Sequence, residues 1–171
     1  MIEENVSINP TEKQNELLQQ LKDYCVKQYT STDKGYEYLS EKSVCLTIEN
    51  PYSENHLVIE LEEQGEFTMY FSQIHNHYSP DQEEYTELIG TIFDILENRI
   101  GCASFWYGDE KHWLGSTWID KTALNDPVKQ VFHFVFQCKD FKNNLRNYGG
   151  QAEYEFWNPA DNKTIKIEKQ K

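Results

Sequence analysis

The sequence is short of the features that usually declare a function. It has no long apolar run, so no stretch approaches the length of a membrane-spanning helix. Its opening residues, Met1-Ile2-Glu3-Glu4-Asn5, lack the basic region and apolar stretch of a secretory signal, and the expected location is cytoplasmic. The four cysteines, Cys25, Cys45, Cys102 and Cys138, are widely separated and form no CxxC pair. They read as reduced, mostly buried thiols, because free cysteine prefers the interior. There is no Gly-x-Ser-x-Gly elbow, and Gly115-Ser116 falls inside an aromatic strand. Gly149-Gly150 is a lone doublet that fits neither phosphate-binding pattern. No cysteine sits at a helix start or among basic residues, where its pKa would be depressed. An enzyme is therefore not expected, nor is a cofactor.

Basic residues are also scarce. Against 29 Asp and Glu stand 16 Lys and Arg, a formal net charge of −13. Such a surface repels phosphate backbones and anionic membranes, and it steers basic partners inward. What is abundant is aromatic side chain, 14% of the 171 residues, spread along most of the chain. That content argues for a folded, aromatic-rich core and against wholesale disorder.

The hydrophobic pattern predicts the elements. After a loose tail over 1–8, Asn9-Pro10-Thr11-Glu12 reads as a helix start. Leu17, Leu18, Leu21, Tyr24, Cys25 and Gln28 or Tyr29 then extend an amphipathic helix of about five turns. Thr32-Asp33-Lys34-Gly35 ends it. Strands are expected at 36–39 and 44–48. A hairpin follows, with Leu57, Ile59 and Leu61 facing a core, Glu60 and Glu62 facing water, a turn at Glu63-Gln64-Gly65, and Phe67, Met69 and Phe71 returning. Ser79-Pro80-Asp81-Gln82 has the form of a capping box, with Ser79 as the cap. Tyr85, Leu88, Ile89, Ile92, Phe93, Leu96 and Ile100 continue at helical spacing to a stop at Gly101. A second hairpin joins 103–107 to 113–119 across Gly108-Asp109-Glu110-Lys111. The run 131–137 reads as a central strand, 143–150 as a turn-rich loop, and alternation at 152–156 and 164–168 as closing strands. The expectation is a single α+β domain over 9–171: an antiparallel twisted sheet of about six to eight strands with two amphipathic helices on one face.

Two constellations carry chemistry. His75 and His77 are separated by one residue, and on an extended chain both imidazoles point the same way, as a zinc site requires. With His112, or an early-helix acid such as Glu83, as a third ligand they make a metal-dependent hydrolase or sensor one alternative. If the strand from Phe67 stays extended, however, both histidines continue its buried face and serve as a hydrogen-bonded shelf under the following helix. The other constellation is acid among aromatics: Asp109 and Glu110 lie between Trp106-Tyr107 and Trp113. Aromatics supply binding hot spots and carboxylates supply steering. Glu60, Glu62 and Glu63 extend that acidic surface. About half of the aromatics on such strands must face inward, so Phe105 and either Trp113 or Trp118 are expected in the core.

The run Glu66-Phe67-Thr68-Met69-Tyr70-Phe71, the segment His75-Asn76-His77-Tyr78 and the helix after it resemble small acidic bacterial proteins encoded beside secreted polymorphic toxins, where they act as immunity proteins. The likeness spans roughly 56–119. It implies a non-catalytic inhibitor that occupies the active site or substrate groove of a cognate toxin in the cytoplasm; the acidic charge adds the expectation that this toxin is basic and that the chain itself binds neither nucleic acid nor membrane. An acidic adaptor, or a nucleic-acid mimic regulating another cellular protein, is a further alternative.

Overall fold

A computed structural model describes residues 12–30, 43–62, 66–125 and 139–169. The chain is α+β, and its strands form two antiparallel sheets rather than the expected one. Contacts group it into two compact units, 1–71 with 75–90 and 72–74 with 91–171.

In the first unit, to which all of β5 but Ile74 belongs, α1 (Glu12–Gln20) is followed by β1 (Val26–Thr30), β2 (Val44–Ile48), β3 (Leu57–Leu61), β4 (Phe67–Phe71) and β5 (Ile74–Tyr78); the five strands lie side by side in chain order. α1 is shorter than the periodicity suggests. Val26, Tyr29 and Thr30 favour extended backbone, and β1 pairs along its whole length with β2, from Val26↔Ile48 to Thr30↔Val44. Ladder hydrogen bonds overrode a helical stripe. The core alternates as the strand pattern requires: Leu46↔Ile59↔Met69 and Val44↔Leu61↔Phe67 are cross-strand rows, all buried. Each such side chain contributes about 1.5–3 kcal/mol on burial. Phe67 meets Tyr85 with ring centroids 5.7 Å apart.

The opposite face of this sheet is wet only in part: Glu62 is exposed as expected, but Glu60 is not. Cys45, Glu60 and Thr68 are opposed in register, and all three are buried. Period-two alternation shows which side chains share a face, but not whether that face is covered. The histidines also depart from expectation. The chain turns at Ser72-Gln73, where Ser72 takes φ 54°, and returns as β5. The turn resets the alternation, so Ile74 and Tyr78 are buried while His75 and His77 are exposed.

α2 (Gln82–Leu96) runs from the first unit into the second. Asp81, not Ser79, caps it: Asp81 Oδ1 accepts from the N–H of Glu83 (3.0 Å) and of Glu84 (2.9 Å). The Glu84 carboxylate reaches back to the Ser79 N–H. Tyr85, Leu88, Ile92 and Ile95 are its buried residues. The stop is Asn98 at φ 61°, three residues before Gly101. Gly101 instead lies in β6 (Ile100–Tyr107), where a Cβ would stand 2.4 Å from the Glu155 carbonyl oxygen.

The second unit holds a sheet in the order β7 (His112–Asp120), β6, β8 (Gly150–Phe156), β9 (Lys163–Ile167). Short 3-10 helices occupy Lys121–Asn125 and Pro159–Asp161. The expected loop at 143–150 is largely α3 (Lys139–Tyr148). Its Leu145 joins Phe105, Leu114, Ile119, Ala152, Tyr154 and Phe156 in the core, with Phe141 packed against it. Of the expected elements, the helix start at 9–11, the strands at 36–39 and 131–137, the turn at 63–65 and Cys138 lie outside the described residues. Among the described residues, no helix is long and apolar enough to cross a membrane.

Candidate functional site

The hairpin between β6 and β7 is the part of the expected site that the fold assembles. Its tip is tied down by backbone. The Gly108 N–H donates to Gly149 O (3.0 Å), and the Lys111 N–H donates to Gly108 O (3.3 Å). Gly108 (φ 70°) and Gly149 (φ 68°) adopt the left-handed conformation open to glycine. Gly149 also ends α3, its N–H donating to Leu145 O at 2.9 Å, which brings the last helical turn beside the hairpin.

The result is an aromatic cluster. The Tyr107 ring lies 5.0 Å from His112 and 6.0 Å from Tyr148, centroid to centroid. Tyr107, Asp109, Glu110, His112, Asn144 and Tyr148 line an open cleft of about 490 Å³ together with Gly108. Asp109 and Glu110 are exposed at its rim, with Glu110 Oε2 3.5 Å from His112 Nε2. The cation nearest in sequence, Lys111, is turned to Glu153 at 2.9 Å. The C-terminal end of α3 adds the negative pole of its dipole. A positively charged side chain suits this cleft. A recess of about 320 Å³, which shares Gly108, Asp109 and Tyr148 with the cleft, has different character: it includes Lys111, Lys166 and Lys169 beside Glu168.

The two tryptophans belong to the other face of the hairpin. Trp106 and Trp113 are opposed in register, just past a bulge between Phe105 and Trp106. Gly115, at φ 143°, sits in this irregular stretch in a conformation almost confined to glycine. The bulge lets Leu114 enter the core and turns Trp113 out, 57% exposed. Trp113 Nε1 donates to Ser116 Oγ at 3.3 Å, and Ser116 Oγ is 2.9 Å from Ser104 Oγ, so the indole is held to the sheet. Phe105 is buried as expected, but neither Trp113 nor Trp118 is. Trp106 is only half-buried, yet its Nε1 is withdrawn from water without a hydrogen-bond partner. It is a poor candidate for an exposed anchor.

The remaining acids are elsewhere. Glu60 and Glu62 belong to the first unit, and Glu63 lies outside the described residues. Glu62 is exposed, whereas Glu60 is buried, its pKa raised by burial against the Tyr70 hydroxyl that donates to it at 3.4 Å. His112 is in the second unit and His75 and His77 are in the first. Among the described residues, no group of three His, Cys, Asp or Glu is placed to hold a metal ion. The buried Cys102 thiol has its pKa raised by burial, which makes it a weak nucleophile.

Tyr148 is the site residue that the sequence reading missed. Its signal was present: Phe141, Leu145 and Tyr148 stand at i, i+4 and i+7, with Gly149 as the stop. The asparagines of Lys142-Asn143-Asn144 read as a turn and masked it. No protein-family model matches the chain, and no curated protein or solved structure resembles it significantly.

Proposed function

We propose that this is a non-enzymatic binding protein that captures a basic polypeptide at the tip of the β6–β7 hairpin. One observation carries the reading: Tyr107 and Tyr148 stand beside Asp109 and Glu110 around an open cleft. A lysine or arginine side chain inserted there meets tyrosine faces and carboxylates together, an attraction worth about 0.5–2 kcal/mol from the ring faces alone. Trp113, exposed on the other side of the same hairpin, offers a second anchor. The net charge of −13 brings a cationic partner in quickly. Within this class we favour an immunity protein that occludes a basic bacterial toxin, as the likeness over 56–119 implies.

The test is calorimetric titration of the full chain with the product of the neighbouring gene. Nanomolar binding at low salt is expected. Tyr148→Ala should weaken it by roughly tenfold or more, as should the double variant Asp109→Asn/Glu110→Gln. Absence of binding at low salt, or affinity indifferent to both variants, refutes the proposal.

A further inference from the structure

The other unit carries a pair of histidines, His75 and His77, that take no part in the hairpin cleft. β5 is the terminal strand of its sheet. Residues two apart on a strand leave the same side, so the exposed His75 and His77 stand next to each other. Their ring centroids are 5.5 Å apart, the rings near perpendicular at 89°. Two imidazoles sharing one ion, each with a nitrogen about 2.0–2.1 Å from it, have ring centres roughly 5 Å apart.

The neighbours of His77 settle which nitrogen is on offer. Glu66 Oε1 lies 2.8 Å from His77 Nδ1, and Thr68 Oγ1 lies 3.0 Å from the same atom. A carboxylate accepting from Nδ1–H leaves the lone pair on Nε2, and such a partner also raises the ring's strength as a ligand. The Tyr70 ring flanks His75, centroids 5.9 Å apart at 31°.

We propose that His75 and His77 form a two-imidazole site for one divalent ion of the late first transition series, with Glu66 orienting His77 through Nδ1. Imidazole donors select zinc, nickel or copper(II) over calcium and magnesium, which prefer oxygen cages. With two protein ligands, water completes the coordination. The affinity is accordingly far below that of a closed four-ligand site.

Nickel(II) is the probe, titrated into the full, tag-free chain by calorimetry and by NMR of the imidazole resonances. One ion per chain in the micromolar range is expected, with the primary shifts at His75 and His77 and no response to calcium. His75→Ala and His77→Ala should each weaken binding by roughly tenfold or more, and Glu66→Gln by roughly 10- to 100-fold, as loss of an orienting partner does. All three side chains are at the surface, so circular dichroism should show unchanged folds. Binding that survives in both histidine variants, shifts centred on another histidine or on the exposed Cys25, or no binding in the micromolar range overturns the proposal. None of these outcomes bears on the peptide cleft.

Discussion

The carboxyl of Glu60 is largely withdrawn from water, 8% exposed between Cys45 and Thr68 on the flanking strands. Burial disfavours the charged form and raises its pKa; the hydroxyls of Ser43 and Tyr70 offset only part of this. The unfolded chain gives up this proton in the ordinary carboxylate range, the folded chain only above it. Between the two values the folded state holds more protons, so this group's contribution to stability declines as pH rises. Glu60→Gln keeps an acceptor for Tyr70 and removes the charge. It is expected to stabilise the protein at neutral pH, with the gain shrinking below about pH 4. Urea melts of variant and parent at both pH values check this; an equal difference at the two would contradict it. In sequence, Glu60 and Glu62 are indistinguishable members of one alternating face. The tertiary environment alone separates a buried acid from an exposed one.

At the scale of elements, helix ends decided where the site could form. α2 stops at Asn98, whose positive φ costs an ordinary side chain about 1–2 kcal/mol. The same side chain holds the segment after β8: its Oδ1 accepts from the Asn158 N–H (2.9 Å), and its Nδ2 donates to Asp161 (2.6 Å). Asn98→Ala loses two hydrogen bonds and strains the backbone, an expected cost of about 2–4 kcal/mol. Asn98→Gly restores the backbone part and should fall between parent and alanine variant in denaturant melts. Equal losses would mean that the conformation at Asn98 carries no strain. The capping residues at both ends of α2 were misplaced in the sequence reading by a few positions, since Ser79 and Asp81, and likewise Asn98 and Gly101, are all competent cap residues. Only backbone direction chooses between them. α3 shows the converse: a three-residue apolar spacing was legible, but polar residues of poor helix propensity hid it, and packing of Phe141 and Leu145 on the sheet outweighs that propensity.

For the whole molecule, charge and shape make separable contributions to binding. The excess of acid acts over roughly a Debye length, about 8–10 Å at ordinary ionic strength, and so governs encounter. The aromatics act only in contact and so govern release. Association with the proposed basic partner is expected to slow by roughly tenfold or more between low and physiological salt, while dissociation changes little. Stopped-flow kinetics across a salt series distinguishes this from the reverse pattern, which would show that specific ion pairs hold the complex together. Trp113→Ala should leave the salt dependence of association intact and speed dissociation.

Composition and local pattern were enough to establish an acidic, aromatic-rich α+β chain, most of its strands, and the hairpin that carries Tyr107, Asp109 and Glu110. These follow from properties that each residue brings with it: charge, volume and a preference for helix or strand. Three things depended on the folded chain. The pairing of β1 with β2 shortened the first helix; the Ser72-Gln73 turn moved His75 and His77 from an expected core face to the surface; and the bulge before Trp106 exchanged Leu114 for Trp113 in the core. The last two turn on a shift of parity or register by a residue or so. Such a shift changes which face every later side chain occupies, and it is set by partners distant in sequence.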